Sequence, residues 1–531
     1  MAEIAHPAPG GTGRSAPATF QRKATGLVRE AGTLDVLIYN VNFVSIGLMA
    51  VLVFLFATVF YPGANLYVTS LLTLAFVLPT SLVFAFFAAA MPRSGGDYVY
   101  VSRVLHPALG MMSSWNNTVW WGLYGGVPSA FFALYGLGPF FTTVGHMGGV
   151  SWMTDVGTWI VSKPGVFICG TVLICVLVAL FIRGLRLYLR VQNTLFFLSL
   201  ISIVLVALVW LFQSHTSIMG NLHSQLGGST FTGLNKSATA AGFANGGPFS
   251  LKWTLFAGTW VYINLVFNQS SAYIGGEVKR ASRLQLWSMP VVAVVSTAAL
   301  LLLLVLADHA VGLITLGKLA ASQGLVFTQI AAYGSGSTVL AVIILLSFIF
   351  WSYTWLPGQI TNASRNLLAY SLDGVMPRGL GRVHPRYHTP WVALLVIGAA
   401  SIAALAAYVW IPNFATPIGI FGFILGFEIV SVAAMAFPYR LPDVFEASPV
   451  NGRVAGVPWI TIIGAVSFVA LGIMAYAFLA DPSAGLKGKP GLIALNIGIW
   501  LSGLVIYYIA RWVQRRRNVD ISKRFAEIPV D

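Results

Sequence analysis

Apolar residues run along this chain in long blocks, not in the alternation of strands or the narrow stripes of soluble helices. Twelve blocks reach the ~20 residues a helix needs to cross a bilayer core. They fall at 34–61, 65–90, 108–142, 160–182, 187–213, 251–275, 284–307, 337–364, 389–411, 415–437, 457–480 and 490–511. The pattern predicts an all-α polytopic membrane protein of 12 transmembrane helices, spans 1 to 12. A short turn with Pro412 and Asn413 separates spans 9 and 10. Residues 1–33 are rich in Ala, Pro, Gly and Thr and hold no apolar h-region, so they are read as a disordered cytosolic tail and not a signal peptide. The Gly/Ser/Asn-rich stretch 214–250 is expected to be an extracellular loop, and 512–531 a basic cytosolic tail.

Composition supports lipid as the main solvent. Charged residues make up only 8% of the 531 and hydrophobic ones 57%, against about 25% charged in soluble proteins. The net charge of +15 gains meaning from its placement. With the N-terminus in the cytosol, 24 of the 30 Lys and Arg fall in segments on the cytosolic side. That asymmetry is the positive-inside signal of an inner, cytoplasmic membrane protein with both termini cytosolic. It removes nucleic acid as a reason for the basic excess. The P-loop-like run Gly312 to Lys318 is followed by Leu319 where a Mg²⁺-binding hydroxyl belongs. No catalytic or metal-ligand signature is visible, so neither an enzyme nor a resident cofactor or metal is expected.

Candidate chemistry then lies where polar or helix-weakening residues occupy the middle of a span. Span 1 carries Asn40, Asn42, Ser45 and Gly47; span 6 carries Asn264, Asn268, Gln269, Ser270 and Ser271. Asn and Ser compete for backbone hydrogen bonds, and Gly weakens a helix. Each stretch is equally well read as an interhelical packing or hydrogen-bonding face. Together, one in an inward-starting span and the other in an outward-starting span, they suit two inverted five-helix halves that hold a substrate between broken helices. The halves are 34–213 (spans 1–5) and 251–437 (spans 6–10), with 438–511 forming peripheral spans 11 and 12. Of the 15 acidic residues, Glu428 alone falls well inside a span and is a candidate proton carrier or gate, with a structural hydrogen bond as the alternative. Ser352 and Thr354 are candidate Na⁺ ligands, though hydroxyls more often bond back to their own helix.

Three basic-side motifs carry a resemblance. They are Met91-Pro92-Arg93-Ser94-Gly95-Gly96-Asp97-Tyr98-Val99-Tyr100-Val101-Ser102-Arg103, Gly276-Glu277-Val278-Lys279, and Ser364-Arg365-Asn366 leading to Asp373-Gly374-Val375-Met376-Pro377. In this order they resemble the amino acid–polyamine–organocation (APC) superfamily of permeases over roughly residues 34–440. The resemblance implies a LeuT-like 5+5 inverted repeat with broken helices 1 and 6. It implies a substrate site at Asn42, Val44, Ser45, Ile46 and Gly47 of span 1, Ile263, Asn264, Val266 and Phe267 of span 6, and Trp121 and Gly125 of span 3. Asn117 and Gln269 join Glu428, Ser352 and Thr354 as coupling or gating candidates. The substrate carboxylate would meet N–H groups of span 1, and its amine carbonyls of span 6. The expected activity is secondary transport of an amino acid, coupled to H⁺ or Na⁺ or run as exchange. A transporter of another organic solute (polyamine, organic cation or nucleobase) and a non-transporting sensor remain alternatives. The sequence leaves oligomeric state open.

Overall fold

The computed structural model describes residues 27–411, 418–483 and 485–526. The expected Pro412–Asn413 turn lies outside them, as do most of the N-terminal tail and the end of the C-terminal one. Among the described residues, eleven helices are long and apolar enough to cross a membrane. Each overlaps an expected span: Thr33–Phe60, Leu66–Ala90, Pro107–Gly148, Lys163–Ile182, Leu185–Phe212, Ala281–Ala310, Thr338–Leu372, Trp391–Trp410, Gly419–Arg440, Trp459–Ala480 and Pro490–Arg516.

Span 6 is the exception. Leu251–Leu265 is α-helical, but Val266–Tyr273 continues as a 3₁₀ helix. The segment therefore reaches membrane length only as two pieces. Local sequence sets many helix starts. Asn65 Oδ1 accepts from the N–H groups of Tyr67 and Val68 at 3.1 Å to open span 2, and Ser162 followed by Lys163-Pro164 opens span 4.

Burial shows where lipid belongs. On span 5, Phe197, Val204 and Leu211 recur every seven residues and are exposed; Val295 and Leu302 do the same on span 7. These outward apolar faces fit hydrocarbon, while spans 1, 3, 6, 8 and 10 form the packed interior. Two expectations change. Residues 214–250 hold three short helices, His215–Leu226, Gly228–Thr232 and Leu234–Ala240, where a loop is expected; the Ser214 hydroxyl caps the first, accepting from Ser217 N–H at 3.2 Å. Span 8 also runs on to Leu372, past a turn at 353–354, so Arg365 lies within a helix and not in a loop. The sole sheet among the described residues is a hairpin pairing Arg453–Val454 with Val457–Pro458.

Candidate functional site

Span 1 is interrupted at one residue. Thr33–Val44 ends at Ser45, which adopts φ 51° and ψ 77°, and a new α-segment begins at Ile46. A left-handed Ser is costly, and three contacts offset that cost. Ser45 Oγ accepts from Leu48 N–H at 3.4 Å and lies 3.4 Å from the Trp351 carbonyl. The Thr354 hydroxyl sits 2.7 Å from Ser45 Oγ. Each α-segment end leaves backbone groups outside the α pattern.

The two interruptions are neighbours. Phe43, two residues before Ser45, stacks on Phe267 of the 3₁₀ segment with centroids 5.0 Å apart. Asn40 Nδ2 donates to Ser271 Oγ at 2.9 Å, and Ser271 N–H donates to Asn40 Oδ1 at 2.8 Å. Ser271 Oγ in turn donates to Gln285 Oε1 at 2.6 Å. Phe267 also meets Phe423 at 5.1 Å and Trp355 at 5.9 Å, so it plugs the meeting point of spans 1, 6, 8 and 10.

Beyond that plug, on the side away from the Arg-rich face, lies a cavity of about 100 Å³. Span 1 contributes Leu52 and Phe56, span 6 Trp260 and Ile263, span 3 Tyr124, Val127, Phe131 and Tyr135, and spans 8 and 9 Trp355 and Tyr408. It is smaller than the ~300–1,000 Å³ of a ligand-filled pocket, and its lining holds no charged residue. Phe56 and Tyr135 each come from a π-helical stretch, Val53–Ala57 and Phe132–Leu137; π-turns often mark functional positions. Phe56 stacks on Trp260 at 4.3 Å, and Trp260 Nε1 donates to Tyr61 at 2.9 Å.

The residues expected from sequence divide into groups. Ile263 lines the cavity. Asn264 beside it is fully buried, and neither its Oδ1 nor its Nδ2 makes a hydrogen bond; Asn42 Oδ1, Gln269 Oε1 and the Trp355 indole N–H are also unbonded. Val44, Ile46, Val266 and Phe267 are buried at the paired interruption. By contrast, Asn268, Ser270 and Ser271 serve interhelical bonds, as with Ser81 Oγ donating to Asn268 Oδ1 at 2.5 Å.

Five of the expected residues, Gly47, Gly125, Ser352, Trp121 and Glu428, stand outside the cavity lining. A Cβ on Gly47 would stand 2.7 Å from Trp351 Cβ, and one on Gly125 would stand 2.1 Å from Ser401 Oγ. Both glycines are close-packing positions against a neighbouring span. Ser352 turns away from the span 1 break: its hydroxyl donates to its own helix at Ile349 O, 2.7 Å, and faces Gly136. Only Thr354 of the hydroxyl pair reaches Ser45. Trp121 is packed between Tyr273, at 4.4 Å, and Phe423, at 5.5 Å, and Glu428 is half-buried on span 10; neither lines the cavity. No cluster of His, Cys, Asp and Glu able to hold a metal is present among the described residues.

The motif residues of the basic face bind one another. Arg365 grips Glu277 with two bonds, Nε to Oε1 at 2.9 Å and a terminal N–H to Oε2 at 3.1 Å. Arg103 grips Asp373 at 2.8 and 3.1 Å. Glu30 and Ala31 donate their N–H groups to the Glu277 carbonyl at 3.0 Å. Gly95 and Gly96 take φ of 101° and 42°, and a Cβ on either would strike Ala369 or Tyr273. The glycine pair is thus required by backbone sign and by close approach together. Asn117 donates to the buried Asp97 at 2.8 Å. These ties close the basic face under the cavity. Sequence reasoning found the motifs but not their partners, because pairing across 88 to 270 residues leaves no local signal.

A multi-pass α-helical bundle, closed at one face and interrupted in two adjacent helices beneath an aromatic cavity, is the build of a membrane transporter and not of an enzyme. The chain belongs to the amino acid permease family, whose family model matches residues 39–502. This agrees with the superfamily resemblance read from the motifs. The chain is also 26% identical over 156 residues to the branched-chain amino acid permease BcaP of Bacillus subtilis (strain 168). That match covers 27% of this chain and 33% of the relative.

Proposed function

We propose that this chain is a secondary transporter that moves a neutral, apolar amino acid across the cytoplasmic membrane by alternating access, with its basic face toward the cytosol. The observation that carries the reading is the left-handed Ser45 lying beside the Val266–Tyr273 3₁₀ segment, next to an uncharged aromatic cavity. The start of the outer half of span 1, at Ile46 and Gly47, favours a carboxylate, and the C-terminal end of the α-part of span 6 favours an ammonium group. An aliphatic side chain suits walls built from Leu52, Val127, Ile263 and aromatic rings. The Trp355 indole N–H, on the cavity wall and unbonded, supplies a polar handle. The Bacillus subtilis relative is named for branched-chain amino acids, which points the same way. Uptake of radiolabelled amino acids into proteoliposomes, with pH and Na⁺ gradients imposed separately, tests this: apolar amino acids accumulate, and no uptake of any amino acid overturns it. Val127→Trp should fill most of the cavity and lower uptake at least about fivefold, since overpacking costs ~1–3 kcal/mol. Unchanged uptake by that variant would move the site elsewhere.

A further inference from the structure

Asp97 is the first acid of the glycine-pair motif, and the transport reading leaves it without a role. Its segment, Gly96–Val104, links spans 2 and 3. The carboxyl is fully buried. Oδ2 accepts from Asn117 Nδ2 at 2.8 Å, while Oδ1 makes no hydrogen bond. The other buried acids of this face hold guanidinium groups: Glu277 with Arg365 and Asp373 with Arg103. Asp97 has none.

The groups packed around it can be named element by element. Span 3 presents Asn117 and Ser114, and the 3₁₀ segment presents Tyr273. Span 8 presents Tyr370, and its Arg365 is spent on Glu277. On its own helix Arg103 is spent on Asp373, and Tyr100 adds only a ring and a phenol. On span 10, Glu428 is half-buried and Arg440 is exposed. The C-terminal segment Ile521–Ala526 also packs on this helix and carries Arg524, which donates to Leu372 O at 3.3 Å; among the described residues no Lys or Arg forms an ion pair with the Asp97 carboxyl. An ionised carboxylate with one donor and no cation is costly at such a site, whereas a neutral carboxyl is not.

Resting on the reading of this chain as a transporter, we infer that Asp97 is a proton-binding site, taking up one proton when the basic face closes and releasing it when that face opens. The geometry supplies the link. Asp97 is dry because Gly95 and Gly96 press the segment against Ala369 and Tyr273, and Gly95 N–H donates to Tyr273 O at 3.1 Å. Separating these elements wets the carboxyl and removes the reason to hold the proton. Binding and closure then favour each other to the same degree. Burial pushes the Asp97 carboxyl up to about 7, so exchange of its proton falls within the working range of pH.

The sign follows for stability. A carboxyl raised in the folded state favours folding while it is protonated, and that advantage is lost as pH climbs from the ordinary carboxylate range through about 7. Carboxyl-band infrared titration of the purified full chain tests the site without any substrate. The wild type should show a protonated carboxyl that titrates near 7 and is missing in Asp97→Asn. Asn117→Ala removes the donor that holds the ionised form and should move the midpoint upward. Tm of the wild type should fall relative to Asp97→Asn as pH rises through the same range, and uptake by Asp97→Asn should lose the wild-type pH dependence there. A band that persists in Asp97→Asn, an unmoved midpoint in Asn117→Ala, or an unaltered pH profile overturns the proposal. If the wild type takes up no amino acid, the transport reading fails, while the infrared titration still decides whether Asp97 binds the proton.

Discussion

Arg365→Met lowers stability by about 3–5 kcal/mol. Arg365 and Glu277 are among the most deeply buried charged side chains of the protein, at 0% and 2% exposure. Removing the guanidinium strands a carboxylate whose two oxygens both lose their partner. The desolvation of that charge, rather than the worth of the pair, sets the size of the effect. Replacing both residues with Met removes the stranded charge, so Arg365→Met/Glu277→Met should recover most of the loss. Thermal and denaturant unfolding in one detergent measures all three proteins. A single variant within about 1 kcal/mol of wild type, or a double variant as poor as the single one, would mean that the pair is wet.

Gly47→Leu abolishes uptake while the protein still inserts and purifies as a folded species. A Cβ at this position stands 2.7 Å from both Cβ and Cγ of Trp351 and 3.1 Å from Phe348 Cε2. Trp351 cannot yield easily: it is fully buried and packs edge-on against Phe196 at 5.8 Å. The added side chain must therefore push the outer half of span 1 away from span 8. That displaces Ser45 from the Trp351 carbonyl and from Thr354, the contacts that hold its left-handed backbone. Even Gly47→Ala should reduce uptake at least about fivefold, as overpacking costs ~1–3 kcal/mol. Wild-type uptake by Gly47→Leu would show that span 1 need not hold this position.

The spans were legible because lipid demands long apolar runs, and such runs are hard to mistake. Span 6 was legible as apolar, and its polar stretch pointed to a weak helix; the 3₁₀ geometry of Val266–Tyr273 depends on Asn40, 231 residues from its partner Ser271, and on Gln285 of the following span. In span 1 the weak region was visible but not the residue that breaks. Glycine is the usual choice for left-handed backbone, yet Ser45 takes that role and Gly47 packs. Contacts from span 8 decide this. The aromatic cavity was hidden for a different reason. Phe56, Tyr135 and Trp260 sit within uniformly apolar spans, where periodicity carries no sign of which face looks inward. Two of them owe their direction to π-turns that no residue pattern announces. The basic-face motifs showed that something was held there. Their ion pairs, and the absence of one at Asp97, needed the fold.

In the proposed transport cycle, two adjacent helix interruptions offer exposed peptide dipoles to the two ends of an amino acid. An electron cryo-microscopy map of the protein with its best-transported amino acid tests this directly. The ligand carboxylate should lie within hydrogen-bond reach of the N–H groups of Ile46 or Gly47, and its ammonium group against carbonyls between Ile263 and Phe267. A ligand bound elsewhere, or spans 1 and 6 running as unbroken α-helices through the ligand's level, would contradict it.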